Sequence, residues 1–317
     1  MEKPVYLFTG FLESGKTNFI LQVLNDPSFS EGQKTLLICC EQGFTEYDEH
    51  YLKEKLNTDI VYIDELKDLT TLWMEQLDKK YQPDEIMIEY NGMWSVTELL
   101  DHVEMPVDWI LAQIVSTVDA SSFEAYIRNM RSIMYDQLVH SEMIVINRCS
   151  EKTKKSFLRS NIKAINQRAQ IIYESVDGSI NSIEEDELPF DLNATLIEIK
   201  DDDFGLWYID AIEHPEKYIK KHVQVKGKAY EPADESVTNC AFVLGRNAMV
   251  CCADDVQPIG IFCYWQFAGQ LIPQEWVQIE GIMDMIFDEE LGVDVPIIQV
   301  ENLKVVPPMQ NELVYFS

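Results

Sequence analysis

Short apolar runs and longer amphipathic stretches alternate from the start of the chain to about residue 175. Runs of strand length, rich in Val, Ile, Leu and Cys, fall at residues 5–9, 35–40, 60–63, 85–89, 109–118, 143–146 and 169–174. Between them, apolar residues recur at helical spacing over 16–24, 68–80, 96–102, 122–139 and 151–165. Near-continuous apolar strands suit a sheet covered on both faces, because neither side of the pleat then meets water. The alternation predicts an α/β unit, a mostly parallel sheet with helices on both faces.

Near residue 180 the texture changes. SINSIEEDELPFDLNA is acidic and irregular, and GLWYIDAIEHPEKY reads as an aromatic helix stopped near His214 and Pro215, because proline lacks the N–H a helix needs. From His222 onward, short runs such as HVQVKGKAY, VTNCAFVLGR, IGIFCYWQF and EWVQIEGIM are separated by turns carrying Gly, Asn, Asp or Pro. That pattern predicts a small, closed or partly closed β-barrel. The chain therefore divides into residues 1–180, a linker with an aromatic helix over 181–221, and a barrel over 222–317. No fixed-period repeat is present.

Candidate chemistry begins in the first turn. GFLESGKT fits G-x-x-x-x-G-K-[ST] at Gly10, Gly15, Lys16 and Thr17, with a strand before it and a helix after. Glycines let the backbone curl so that successive N–H groups face a β-phosphate, and the helix N-terminus adds its dipole. Lys16 would bridge the β- and γ-phosphates and Thr17 would ligate Mg²⁺, with Glu13, Ser14 and Asn18 completing the loop's contacts. Magnesium triphosphate also needs acids at the ends of neighbouring strands. Glu41 closes LLICCE and Glu89 closes IMIE, so the expected catalytic set is Lys16, Glu41 and Glu89, and the Mg²⁺ set is Thr17, Glu41 and Glu89. Either acid could instead be merely solvated. The Gly92 N–H would meet the γ-phosphate. After the 143–146 run, Asn147 and Arg148 are placed to contact a purine, but Ser150 stands where GTPases carry the guanine-reading Asp. GTP is the expected ligand, and ATP stays open.

Charge narrows the partners. With 55 acidic against 25 basic residues among 317, the net charge of -30 repels nucleic-acid backbones and anionic lipid. The same charge also suits a plainly solvated surface. The start of the chain shows no charged-then-apolar leader and the apolar runs are strand-sized, so a cytoplasmic protein without membrane insertion is expected. The seven cysteines are then expected as reduced thiols.

Read in order, GFLESGKT, CEQGFTEYD, IEYNGMW, VDASSF, INRCS and INQRAQI resemble landmarks of the CobW/HypB/UreG family of metal-homeostasis GTPases, most of all its CobW-like branch. The resemblance covers about residues 3 to 175. It implies a SIMIBI-type P-loop core and a GTP-dependent metallochaperone or metal insertase, and it adds Asn166 of INQRAQI to the cofactor-binding set. Departures are specific. The branch's Cys-x-Cys-Cys is absent from VYIDELKDLTTLWMEQL, and Cys39 and Cys40 are expected to pack as small hydrophobes. Glu13 replaces the branch's Gly and is expected to point to solvent or to a partner, since an inward carboxylate would repel phosphate.

In the second half, Cys240, Cys251, Cys252 and Cys263 give C-x10-C-C-x10-C. Two readings stay open, namely buried apolar thiols or a transition-metal site for Zn²⁺ or a similar ion built on Cys251, Cys252 and Asp254. Residues 204–317 resemble the C-terminal domain of YcgQ-like putative permease subunits through VKGKAY, FVLGRNAMVCCADDVQPIGI, EWVQIEGIM and PIIQVENLKVVPP. That resemblance implies an OB-type barrel and association with a permease. Gly245 and Arg246 are expected to form a hairpin turn.

Together these readings describe a GTP or ATP phosphohydrolase with slow intrinsic turnover, because no Gln or Arg finger is identifiable. Its nucleotide state would serve metal homeostasis, with a permease or metalloprotein client as partner; Met93 and Trp94 suit either a homodimer contact or ordinary packing under a loop. A nucleotide-gated protein-binding module with vestigial hydrolysis is the alternative. A small-molecule kinase is a third, less suited because no Arg-rich lid is evident.

Overall fold

The computed structural model describes residues 2–30, 32–176, 180–181, 188–232, 239–249, 256–288, 292–309 and 312–314. Two compact units emerge, Met1–Lys154 with Ile165–Glu184, and Lys155–Ala164 with Glu185–Ser317.

The first begins β1 (Lys3–Thr9), α1 (Lys16–Asn25), α2 (Pro27–Ser30), β2 (Thr35–Cys39), α3 (Glu49–Leu56), β3 (Thr58–Tyr62), α4 (Thr71–Tyr81) and β4 (Glu85–Glu89). It continues α5 (Val96–His102), β5 (Trp109–Asp119), α6 (Phe123–Asn129), α7 (Arg131–Leu138) and β6 (Met143–Cys149). After α8 (Lys155–Ile165), most of which groups with the second unit, come β7 (Gln170–Ser175) and β8 (Ile180–Asn181). The sheet order is β3-β2-β4-β1-β5-β6-β7-β8, parallel except for the two-residue β8. Strands β2 and β4 are buried at every position, as their unbroken apolar runs require. An open sheet of this kind presents its ligand at the carboxyl ends of the strands, where the order about β1 reverses. Every strand-end candidate in this unit lies along that edge.

The second unit contains β9 (Ile197–Glu198), α9 (Phe204–Glu213), β10 (His222–Tyr230), β11 (Ala241–Met249), β12 (Val256–Tyr264), β13 (Trp276–Asp288), β14 (Val293–Val305) and β15 (Leu313–Val314). Five strands close a ring in the order β10-β11-β12-β14-β13-β10, with β12 and β14 parallel and the other neighbours antiparallel. This is an OB-like barrel. Alternate residues of β10, Val223, Val225, Gly227 and Ala229, face its core, where Phe204 and Trp207 of α9 also pack.

Several elements depart from the pattern-based expectation. The helix expected over 122–139 is broken at Met130, one residue after Asn129 turns its amide onto the Ala125 carbonyl four residues back. The helix expected from residue 151 starts at Lys155, because Ser150–Thr153 form a hydrogen-bonded turn. Helix α3 was not apparent in the pattern because it buries only Leu52, although Asp48 caps it by accepting from the Tyr51 N–H. Gly245 and Arg246 lie inside β11 rather than in a turn. Gly245 faces Gly260 in the ladder, and a Cβ there would come within 2.7 Å of the Ile259 carbonyl.

Candidate functional site

The loop leaving β1 turns into α1 through three residues with left-handed backbone, Gly10 (φ 124°), Glu13 (φ 62°) and Gly15 (φ 105°). A side chain at Gly15 would strike Asn147 Nδ2 at 2.1 Å, so the loop can approach β6 only as glycine. Ser14 Oγ bonds Thr117 Oγ1 at 2.6 Å, tying the loop to β5. Lys16 is almost wholly buried, and its Nζ donates to the Gly10 carbonyl at 2.7 Å and the Phe11 carbonyl at 3.0 Å. It also pairs with the Glu41 carboxylate, whose other oxygen accepts from the Gly92 N–H at 3.2 Å. Glu41 thus bridges the loop lysine to the backbone that follows β4. Gly92 is closely packed here, since a Cβ would lie 2.4 Å from the Gly10 carbonyl.

Beside this bridge sits a second carboxylate. Thr17 Oγ1 donates to Glu89 Oε1 at 2.7 Å, and the Tyr47 hydroxyl donates to Glu89 Oε2 at 2.6 Å. Burial holds the Glu89 carboxyl above its ordinary range, opposed by those two hydrogen bonds and by the Lys16 charge. Cys39, whose Sγ lies 3.7 Å from Glu89, is pushed up to about 12 by burial and by that charge, and so remains a thiol. Lys16, Thr17, Glu41 and Glu89 line a space of only about 20 Å³. A threonine hydroxyl and carboxylates are the oxygen donors that a hard cation such as Mg²⁺ takes.

A larger cavity, about 540 Å³, opens on the far side of Gly15 and is lined by Asn18, Gln22, Asn147, Arg148 and Glu174 among others. Asn147 donates through Nδ2 to the Ser14 carbonyl, while its buried Oδ1 has no hydrogen-bond partner. Arg148, in the left-handed region at φ 55°, donates to the Glu13 carbonyl at 2.9 Å and pairs with Asp119. Burial works against the Asp119 charge, yet the Ser121 and Arg148 hydrogen bonds prevail and lower its pKa.

Residues 4–173, more than half of the chain, match the family model described as CobW/HypB/UreG, nucleotide-binding domain. The chain belongs to the CobW/HypB/UreG family. That family comprises P-loop GTPases related to metallochaperones. Residues 178–316 match the DUF1980 C-terminal domain. No curated protein matches. Solved structures that resemble the chain include hydrogenase maturation factor HypB from Archaeoglobus fulgidus, at 16% identity over 56% of this chain and 84% of that one, with a TM-score of 0.39. Zn(II)-bound YjiA GTPase from E. coli shares 17% identity over 94% and 89%, with a TM-score of 0.43. A small single-stranded DNA binding protein from Mycoplasma pneumoniae shares 19% over 29% and 97%, with a TM-score of 0.20. All three are distant, and the strand order itself carries the fold.

Within this CobW/HypB/UreG unit, Gly10, Ser14, Gly15, Lys16, Thr17, Glu41, Glu89 and Gly92 converge around the loop after β1, and Asn18, Asn147 and Arg148 lie towards the larger cavity. One expectation needs correction. Asn166 lines neither space, because its side chain is spent on five backbone bonds, donating to Leu138, Val139 and Ser141 carbonyls and accepting from Arg168 and Ala169 N–H groups. Glu13, at φ 62° and half-buried, turns its carboxylate to the exposed segment after β2, where it accepts from the Phe44 N–H at 2.6 Å and so clips that segment. Cys251, Cys252 and Asp254 lie outside the described residues. Cys263 is fully buried in the barrel core, while Cys240 is exposed, and no group of three or more metal-ligating side chains occurs among the described residues.

The sequence reading missed Gln137. Its Oε1 accepts from the Gly10 N–H and its Nε2 donates to the Trp94 carbonyl, both at 2.9 Å, while Asp136 beside it accepts from the Val96 and Thr97 N–H groups. The available signal was a glutamine on the apolar face of α7, at helical spacing from Met134 and next to Leu138.

Proposed function

We propose that the first unit binds a nucleoside triphosphate with Mg²⁺, hydrolyses it slowly, and uses the change of state in metal homeostasis. The observation that carries this reading is the Glu41 carboxylate held between Lys16 Nζ and the Gly92 N–H. Those are the two donors that a terminal phosphate would take, and the anion between them fills the space that phosphate needs. Binding would exchange one anion for another: the phosphate displaces Glu41, Lys16 and the Gly92 N–H turn to it, and Gln137 and Asp136 fix the backbone that carries Gly92. Mg²⁺, when bound, neutralises phosphate charge, with Thr17, Glu89 and the displaced Glu41 as its protein donors.

Slow turnover follows from what is missing around the phosphates. Among the described residues, Arg148 is the one arginine lining either cavity, and it is committed to Glu13 and Asp119. That commitment also favours a second reading, a nucleotide-gated protein-binding module with vestigial hydrolysis. In either case the barrel over 222–317 is the docking element for a permease or metalloprotein client, joined through 181–221 to the nucleotide domain over 1–180, in the cytoplasm. Among the described residues no helix is long and apolar enough to cross a membrane. Leu12, Phe44 and Met93, all exposed, suit a second copy docking over the phosphate end.

Phosphate release with and without added Zn²⁺ separates the two readings, since metal-stimulated turnover belongs only to the first. The control is Lys16→Ala, expected to lose nucleotide affinity by about a hundredfold or more. If it binds and hydrolyses like the parent, the site is not here.

A further inference from the structure

Ser150 lacks the carboxylate that reads guanine in GTPases, and the next strand carries a carboxylate, Glu174. Strand β6 pairs with β7 through Ile146↔Tyr173 and resumes at Cys149↔Ser175, so Asn147 and Arg148 bulge out of the ladder opposite Glu174. The side chains of all three line the cavity of about 540 Å³ described above, a size within the roughly 300–1,000 Å³ of small-molecule sites. Gln22 of α1 also lines it, and its Nε2 donates to Glu174 Oε1 at 3.0 Å, which fixes the carboxylate. Ser150 itself is absent from the lining. Its N–H donates to Thr153 Oγ1 at 2.8 Å, and its hydroxyl accepts from the Lys152 N–H at 3.3 Å.

We propose that Glu174 is the base-specificity residue of this site and that it selects guanine over adenine, an inference that rests on the nucleotide reading above. The chemistry is a match of donors to acceptors. A carboxylate only accepts, and each of its oxygens has two acceptor positions, so the bond from Gln22 leaves capacity for more. Guanine offers N1–H and N2–H₂ side by side, two donors for one anion in a charge-assisted pair. Adenine turns a lone pair at N1 towards the same anion and is repelled. Asn147 and Arg148 hold the loop beside the base, and Glu174 reads its edge.

The test is competition calorimetry on the full chain with GDP, IDP, ADP and XDP, for the parent, Glu174→Ala and Glu174→Gln. The parent is expected to prefer GDP over ADP, with IDP, which lacks the N2 amine, between them. In Glu174→Ala the preference should fall by about tenfold or more while ADP affinity is kept or rises. Glu174→Gln should gain XDP, because an amide can donate to the xanthine oxygen that replaces the amine, a gain that loss of structure would not produce. If Glu174→Ala keeps the parent's GDP-to-ADP ratio, or the parent shows no such preference, Glu174 is not the reader and the nucleotide reading still stands. A parent that binds none of the four overturns both.

Discussion

Lys16, Glu41 and Glu89 bury charge at the end of a sheet, and Asp210 with Arg159, Glu213 and Lys163 buries charge beside a barrel. The two clusters have opposite surroundings. Asp210 accepts from the Tyr218 hydroxyl at 2.7 Å and from Lys217 at 3.2 Å, with Arg159 at 3.7 Å. Arg159 and Lys163 of α8 meanwhile pair with Glu213 at 2.7 and 2.6 Å. The partners are side chains of the same unit, and none of these residues lines the cavities described above. In the first unit the partners are a lysine and a threonine hydroxyl that both line a space, and a backbone N–H that meets the same Glu41 carboxylate. Buried charge locks a fold where its partners have nothing to exchange for, and it becomes a site where a ligand can take one partner's place.

Substitution should separate the two kinds. The largest effect is expected at Asp210→Ala, which takes the carboxylate from Lys217 and the acceptor from the buried Tyr218 hydroxyl and should cost about 3–5 kcal/mol of unfolding free energy in urea titration. Nucleotide affinity in molecules that remain folded should not change. Glu89→Gln should do the reverse. Because burial raises the Glu89 pKa, ionisation costs the folded state: its contribution is favourable below the ordinary carboxylate pKa and is lost as pH rises through the raised value. At neutral pH the glutamine variant is expected to melt at or above the parent's temperature, with the gap closing in acid, while Mg²⁺-dependent nucleotide affinity drops about a hundredfold. A variant that unfolds as readily as Asp210→Ala would erase the distinction. The smallest expected change is at Glu41→Gln, which weakens the hold on Lys16 and should raise Mg²⁺-free nucleotide affinity about tenfold. A fall instead would make Glu41 a binding group rather than an occupant.

The two units also differed in how far sequence foretold them. Spacing alone located the phosphate loop and the strand-end acids, because Gly10, Gly15 and the buried runs before Glu41 and Glu89 leave the backbone few alternatives. The tertiary partners of those residues are not periodic. Gln137 lies 127 positions along the chain from the Gly10 N–H it receives, and nothing local marks it beyond a polar residue on an apolar face. Asn166 shows the converse, a motif residue whose side chain is consumed by backbone carbonyls. In the barrel, Gly245 reads locally as a turn, and only the register opposite Gly260 reveals a crowded strand interior. Buried Arg246 follows from the same register, its guanidinium bonding the Lys226 and Asp201 carbonyls.

Glu41 has a consequence for how the protein would sense nucleotide. A carboxylate already seated on Lys16 is a tethered competitor, present at an effective concentration set by the short segment that carries it rather than by the cell. On the proposed reading every incoming phosphate would have to outcompete a rival that never diffuses away, so the length and stiffness of residues 41–47 would become a dial on the threshold of response. Glu13, clipped to the Phe44 N–H, grips that segment partway along. Loosening the clip would shift the set-point without touching a phosphate-binding atom.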